Sequence, residues 1–336
     1  MAAACGEAHT VLVSEDGAAL WVMGSGKFGK LGVGDELPRY CPAPLSLADD
    51  SNPCASGGGG DGTSLASRAP ALAVAPVVAV AAGANHTAAV TSDGELWCWG
   101  DGSAGQLGLG DSDTRQAPTP VPDFRECWGG VAAVMAACGR RHTLVLTAGG
   151  VVWSSGEGTH GRLGHGDEAS KTRFFPVAMP VRCVMVAAGD RHSAAIDERG
   201  EVFTWGYGAQ GALGHTDDAD RREPHHLRRL GGRGGVVMVS AAMHTVAVTA
   251  EGELWAWGAG EDGQLGVGVM ANRLTPTRVG VERPGLGCAS VVLAACGYRH
   301  TLAGRHTHTH THTRTNTHTC THSFFALNTH LYLYTV

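Results

Sequence analysis

Apolar and polar positions repeat along this chain in one order. In the stretch Ala88–Gly100, AAVTSDGELWCWG, apolar residues alternate on either side of Asp93-Gly94, a dipeptide that favours the primed turns of a β-hairpin. The pattern predicts two short strands and a tight turn. Equivalent turns stand at Asp16-Gly17, Gly149-Gly150, Arg199-Gly200 and Glu251-Gly252, each followed by an aromatic strand: ALWVMG, VVWSSG, EVFTWG and ELWAWG. A glycine-spaced loop comes next, GSAGQLGLGD, with counterparts GKFGKLGVGD, GTHGRLGHGD, GAQGALGHTD and EDGQLGVGV. An extended segment follows, marked by Pro118, Pro176, Pro224 and Pro276, and proline suits an edge strand, where a missing N–H costs least. Apolar runs such as VAAVMAA and VRCVMVAA then lead into the next unit, and their lack of alternation predicts innermost strands covered on both sides.

Each unit opens with a histidine phrase: CGEAHT, AGANHT, CGRRHT, AGDRHS, SAAMHT and CGYRHT. The histidines are His9, His86, His142, His192, His244 and His300, separated by 77, 56, 50, 52 and 56 residues. The long first interval contains residues 48–70, a Gly/Ser/Asp-rich stretch too polar to order itself, which reads as a disordered loop insertion. Four short strands per unit of some fifty residues match the blade of a radial β-propeller; solenoid rungs are usually shorter, roughly 20–30 residues. The predicted fold is all-β: a propeller of four-stranded blades over residues 1–303, with five complete repeats and the first strand of a sixth, so that the ring is incomplete or closes irregularly. Residues 304–336 alternate His and Thr, as a translated CA dinucleotide repeat would, and read as a disordered low-complexity tail. The expectation is that the reading frame has run into repetitive DNA and that further blades belong beyond Gly304; transcript sequencing across that codon decides it.

Composition narrows the function. The 336 residues include 50 glycines and 43% apolar residues, with 17% charged and a net charge of −6. Glycine at twice its usual level without a collagen period fits a turn-rich β protein. Lys and Arg are scattered, so no basic stripe predicts nucleic-acid binding, and no apolar run is long enough for a membrane helix. The amino end lacks a secretory signal pattern, which points to the cytoplasm or nucleus and to reduced thiols among the ten cysteines. Cys5, Cys138 and Cys296 share one repeat position and are expected to be small buried side chains.

The runs x-G-x-x-H-T, D-G-x-L-W-x-W-G and G-Q-L-G-x-G-D resemble the repeat of the regulator of chromosome condensation family, over roughly residues 3–303. The resemblance implies a propeller normally of seven blades, closed by strands from both chain ends; this chain shows at least one blade fewer. It implies guanine-nucleotide exchange on a small Ran-like GTPase as one activity, although the basic amino-terminal tail of the chromatin-bound form is missing here. It also admits the propeller portion of a larger ubiquitin-ligase-type protein. The plant ultraviolet-B photoreceptor of the family carries G-W-R-H-T phrases; Arg140, Asp190 and Tyr298 stand at that Trp position here, which disfavours a photoreceptor.

Six equivalent histidines do not make a catalytic site, because a general base is placed once, beside a nucleophile and an orienting group. Recurrence predicts that the imidazoles hydrogen-bond between adjacent blades, with Gly6, Gly83, Gly139, Gly189 and Gly297 and with Trp21, Trp99, Trp153, Trp205 and Trp257 as repeated packing positions. Asp35, Asp111, Asp167 and Asp217 read as loop caps, and the loop glycines as positions of positive φ rather than a phosphate cradle, since none has the form G-x-x-x-x-G-K-[ST]. His306, His308, His310 and His312 alternate and offer at most a weak metal site with no Cys or carboxylate to complete it. No cofactor is expected. The reading is a non-enzymatic scaffold or regulatory propeller that docks a protein partner through its irregular loops.

Overall fold

A computed structural model describes residues 2–45, 75–122, 131–228, 230, 235–280, 290–309 and 319–326. The inserted loop 48–70 lies outside them. The first sheet is built from β1 (Ala2–Cys5), β2 (His9–Val13), β3 (Leu20–Gly24) and β4 (Arg39–Leu45). The second holds β5 (Val77–Ala82), β6 (His86–Thr91), β7 (Leu96–Gly100) and β8 (Arg115–Pro120), and the third β9 (Ala133–Cys138), β10 (His142–Thr147), β11 (Val152–Gly156) and β12 (Lys171–Pro176). The fourth comprises β13 (Cys183–Ala188), β14 (His192–Asp197), β15 (Val202–Gly206) and β16 (Arg221–His226), and the fifth β17 (Val236–Ala241), β18 (His244–Thr249), β19 (Leu254–Gly258) and β20 (Arg273–Arg278). Each of these five is a four-stranded antiparallel meander. The sixth has three strands, β21 (Val291–Cys296), β22 (Thr301–Thr309) and β23 (Thr319–Ala326), where the repeat pattern alone predicts one. Its last two strands carry paired backbone into the His/Thr-rich segment, where the sequence predicts none.

First strands pack against first strands in chain order, from β1 to β5 and onward to β21, which makes them the innermost strands of a propeller. The hydrophobic core is accordingly a series of junctions. Val11, Val13, Leu20 and Val22 of the first sheet close on Val77, Ala89, Trp97 and Trp99 of the second, and four further clusters repeat this to Ala294 and Ala303 of the sixth. Among the described residues no such cluster joins sheet six to sheet one, so the ring is open.

Three expectations are corrected. The hairpin turns are not primed turns: the amide of Gly94 donates to the Thr91 carbonyl, and only the glycine has positive φ (84°), which is a type I turn followed by a left-handed glycine. That glycine's carbonyl then accepts the amide of Ala133 on the next blade, tying the turn across the junction. The innermost strands are not covered throughout. Strands β5, β9, β13, β17 and β21 each carry a bulge whose extra residue turns out of both junctions, so Val78, Val134, Val184, Val237 and Val292 are 38–57% exposed. Third, Cys138 is buried but Cys5 is exposed and Cys296 half-buried. Cys5 lies on the side of β1 that no preceding blade covers.

Candidate functional site

The histidine phrases converge on the blade junctions, and the structure brings five of the six imidazoles into one repeated arrangement. Nε2 of His9 lies 2.9 Å from Oγ1 of Thr87 on the next blade. His86 meets Thr143 at 2.9 Å, His142 meets Ser193 at 3.0 Å, His192 meets Thr245 at 2.8 Å and His244 meets Thr301 at 2.7 Å. Each hydroxyl donates in turn to a backbone carbonyl in the glycine loop of the histidine's own blade: Lys30, Gln106, Arg162, Ala212 and Gln264, at 2.6–3.0 Å. A Ser or Thr hydroxyl has one proton, and the carbonyl takes it. The imidazole must therefore donate through Nε2–H, which leaves Nδ1 bare.

Nδ1 of His9, His86, His142 and His244 is buried without a hydrogen-bond partner. It faces the repeat glycine of its own phrase, Gly6, Gly83 or Gly139 in the first three blades, with Gly189 set against His192 and Gly297 against His300 in the same way. None of these five glycines has positive φ; close approach, not backbone conformation, requires them. The fifth blade has no such glycine, and Ala242 takes the equivalent hydrogen-bonded place in a turn one residue shorter. Burial holds the imidazoles far below the ordinary histidine range: His9 and His244 to about 3, His86 and His192 to about 4, and His142 in the same direction. They are neutral, immobilised and closed to solvent, so they cannot serve as general bases near neutrality. His300 stands apart. It is half-buried, its carbonyl accepts the amide of Gly297 at 2.8 Å, and among the described residues its imidazole has no hydrogen-bond partner.

The tryptophans do not share one position. Strand register places Trp21, Trp97, Trp153 and Trp255 opposite the residue three after the histidine, and Trp99, Trp205 and Trp257 opposite the residue one after it. The second set is fully buried on the glycine loop of the preceding blade, with Trp99 and Trp257 donating to the carbonyls of Lys30 and Ala212. Pro176 likewise pairs two residues out of step with Pro118, Pro224 and Pro276; their counterpart in the third blade is Phe174. The caps behave as expected: Asp35, Asp111, Asp167 and Asp217 each accept the backbone amide two residues on. Lys30, one of two lysines in the first glycine loop, is 4% exposed and donates to Asn85 at 2.7 Å.

Two pins went unseen in the sequence because their histidines hide in the glycine loops. His165 meets the hydroxyl of Ser154, and His215 that of Thr204, both at 2.9 Å, while each hydroxyl donates to a loop carbonyl. Around the axis, at the histidine end of the innermost strands, lies a funnel lined by Glu7, Arg140, Asp190 and Tyr298 above the ring of glycines. Its cavity of about 150 Å³ is small beside the roughly 300–1,000 Å³ of small-molecule sites. The rim is polar and irregular: Arg140 pairs with Asp190 at 3.5 Å, Arg141 with Glu157 at 3.8 Å, and Arg191 stacks over Tyr207. Side chains at 306–312 lie outside those described. Among the described residues no group of three or more metal-ligating side chains occurs, and no helix is long and apolar enough to cross a membrane.

Comparison with known proteins agrees with this architecture. A family model of the RCC1-like domain matches residues 1–243, and one of the regulator of chromosome condensation (RCC1) repeat matches residues 251–303. The chain is 32% identical over 327 residues to the ultraviolet-B receptor UVR8 of Arabidopsis thaliana, covering 89% of this chain and 61% of the receptor. It is 32% identical over 306 residues to the human E3 ubiquitin-protein ligase HERC2, covering 89% of this chain but 4% of that protein. The chain thus spans less than two-thirds of either relative. Among solved structures it resembles Prp20p of Saccharomyces cerevisiae, described with its binding to Gsp1p and histones (TM-score 0.70, 21% identity, 91% of this chain and 70% of that one). Human WBSCR16 is similar in fold as well (TM-score 0.64, 24% identity, 90% and 85%). With the repeat, the four-stranded blades and both family models in accord, the chain belongs to the regulator of chromosome condensation repeat family of β-propellers.

Proposed function

We propose that this propeller is a non-enzymatic interaction platform, in the cytoplasm or nucleus, that docks a protein partner on the irregular rim of its funnel. The observation that carries the reading is the use of the repeated polar groups. His9, His86, His142, His192 and His244 are locked between blades as neutral donors, so the residues that differ from blade to blade, Glu7, Arg140, Asp190, Arg191 and Tyr298, are those left at the surface to distinguish a partner. Relatives support a regulatory role: UVR8 is a receptor, and HERC2 is a ligase of which this chain matches only a small part. The test is partner capture with the intact chain against Arg140→Glu and Arg191→Glu variants of unchanged melting temperature. Partners retained equally by all three would exclude the rim.

A second reading is guanine-nucleotide exchange on a small Ran-like GTPase, favoured by the likeness to Prp20p, described with Gsp1p. Release of labelled GDP from a purified GTPase, with and without this chain, separates the two. Acceleration well above the spontaneous rate establishes exchange.

A further inference from the structure

Because the repeat fixes what each position of a blade holds, residues that leave it without serving the fold mark where one blade differs in chemistry from the rest. Three such departures meet on the outer edge of the fourth blade. The position of Thr216 is glycine in the other four complete blades, at Gly34, Gly110, Gly166 and Gly268, and Thr216 keeps their left-handed backbone with φ +78°. Strain of that kind persists only where the surroundings hold it, and it concentrates at binding sites. His225, opposite Thr204 in the sheet, takes the place of Ala43, Thr119, Phe175 and Thr277. Arg228 follows Leu227 where Pro122, Ala178 and Gly280 follow the valines hydrogen-bonded in the same way.

Thr216, His225 and Arg228 line one cavity of about 380 Å³ against β16, together with His215, Arg221 and His226. Unlike the axial funnel, it reaches the roughly 300–1,000 Å³ of binding sites. Among the described residues no carboxylate lines it. The acids nearby are already engaged, since Asp217 accepts from Arg221 at 2.7 Å and Glu201 from His226. Arg228 is exposed and, among the described residues, has no acidic partner. His215, pinned by Thr204, meets His225 edge-on with ring centres 6.0 Å apart, which sets the place of that second ring. A guanidinium, an imidazole and the exposed hydroxyl of Thr216 thus stand unspent on one cationic concavity.

We propose that this concavity binds a phosphate monoester, carried on a phosphorylated serine or threonine of a partner protein. A phosphoryl group brings three acceptor oxygens and close to two negative charges. The planar guanidinium of Arg228 suits two of those oxygens at once, which leaves the third for His225 and the Thr216 hydroxyl, while Arg221 adds positive charge beside them. A free phosphate ion would fill little of the cavity; an ester puts its organic part in the remainder. The cavity lies along an exposed edge strand, so a chain segment of a folded partner reaches it without opening the propeller. The inference is independent of the rim reading above, because no residue of the funnel or its rim lines this cavity.

The probe is a short polyalanine peptide with one central phosphoserine, titrated into the intact chain while the imidazole resonance of His225 is followed by NMR. A saturable shift is expected, and peptides with serine or glutamate in its place should bind about tenfold more weakly or worse, since they carry no charge or only one. Arg228→Gln and His225→Gln, both at exposed positions, should each weaken binding about tenfold, the first read from the His225 resonance and the second from that of the peptide phosphorus. Thr216→Gly, although it relieves backbone strain, should weaken binding about threefold by removing one hydrogen bond. Arg222→Gln changes the charge of the same strand but pairs with Glu168 outside the cavity, and should leave binding unchanged. No saturable shift overturns the proposal, as does a glutamate peptide that binds as well as the phosphorylated one. Binding indifferent to Arg228, His225 and Thr216 overturns it equally. Inorganic phosphate that binds as tightly as the phosphopeptide would reduce the cavity to a site for an adventitious ion only.

Discussion

Gly83 leaves no room for a side chain beside His86. A Cβ at Gly83 would stand 2.8 Å from Cε1 of that imidazole and 2.3 Å from the carbonyl oxygen of Gly139 on the next blade. The second of these is backbone and cannot rotate away. Gly83→Ala should therefore part the two blades and cost about 1–3 kcal/mol, in the range of other overpacking changes. Urea unfolding measures it, and a midpoint equal to that of the parent chain would show the junction to be looser than described.

His142→Ala tests the relay from the other side. It removes the donor to Ser193 and opens a cavity among buried groups, so a loss of roughly 1–3 kcal/mol is expected. His300→Ala, with no partner to lose, should cost much less. Equal losses at the two positions would mean that the hydrogen bond across the blades contributes nothing.

Acid should unfold the protein through these same rings. Their folded values lie near 3–4, whereas the unfolded chain titrates near 6.5. Above about pH 6.5 neither state binds the proton and stability is complete. As pH falls through 6.5 toward 4 and 3, the unfolded chain takes up protons that the folded chain refuses, and stability is lost. Near pH 5 the pH slope of the unfolding free energy should correspond to about five protons from these rings, a slope that denaturant titrations at several pH values determine.

The third blade exchanges one large side chain for another. Where Trp99, Trp205 and Trp257 pack on the preceding loop, this blade has Ser155, which reaches the Gln106 carbonyl at 3.4 Å; Phe174 in place of proline fills the space over Gly108. Ser155→Trp and Phe174→Pro should each destabilise by about 2–4 kcal/mol, one by crowding and the other by a cavity. Combined, they should recover at least ~1 kcal/mol of the summed loss. Strict additivity in the double-mutant cycle would deny the exchange.

Thr216 has a φ of +78°, at a loop position where Gly34, Gly110, Gly166 and Gly268 have similar values. A β-branched residue is strained there, its side chain is exposed, and its amide keeps a 3.0 Å bond to the Leu274 carbonyl. Thr216→Gly should raise stability by about 0.5–1 kcal/mol, net of the extra freedom glycine gains on unfolding. Gly34→Thr, with nothing within 4 Å of a Cβ, should lose a similar amount by backbone strain alone. Thermal melts of the pair check both signs.

Local chemistry repeated at a fixed period made much of this protein legible before any coordinates. Turn glycines, alternating strands, edge prolines and Asp caps each depend on neighbours a few residues away, so the chain alone determined five four-stranded blades. Register was harder to read. Trp21 pairs in step with Trp97 and not with Trp99, and Pro176 stands two places from Pro118, because spacing along the chain does not reveal which residues face each other across a sheet. What only the tertiary structure decided are the relations between blades. A hydroxyl already committed to a carbonyl fixes which imidazole nitrogen carries the proton, and Phe174 makes up for Ser155 across a shared loop. Each depends on atoms brought together from 31 to 78 residues apart, where packing rather than local preference sets the outcome.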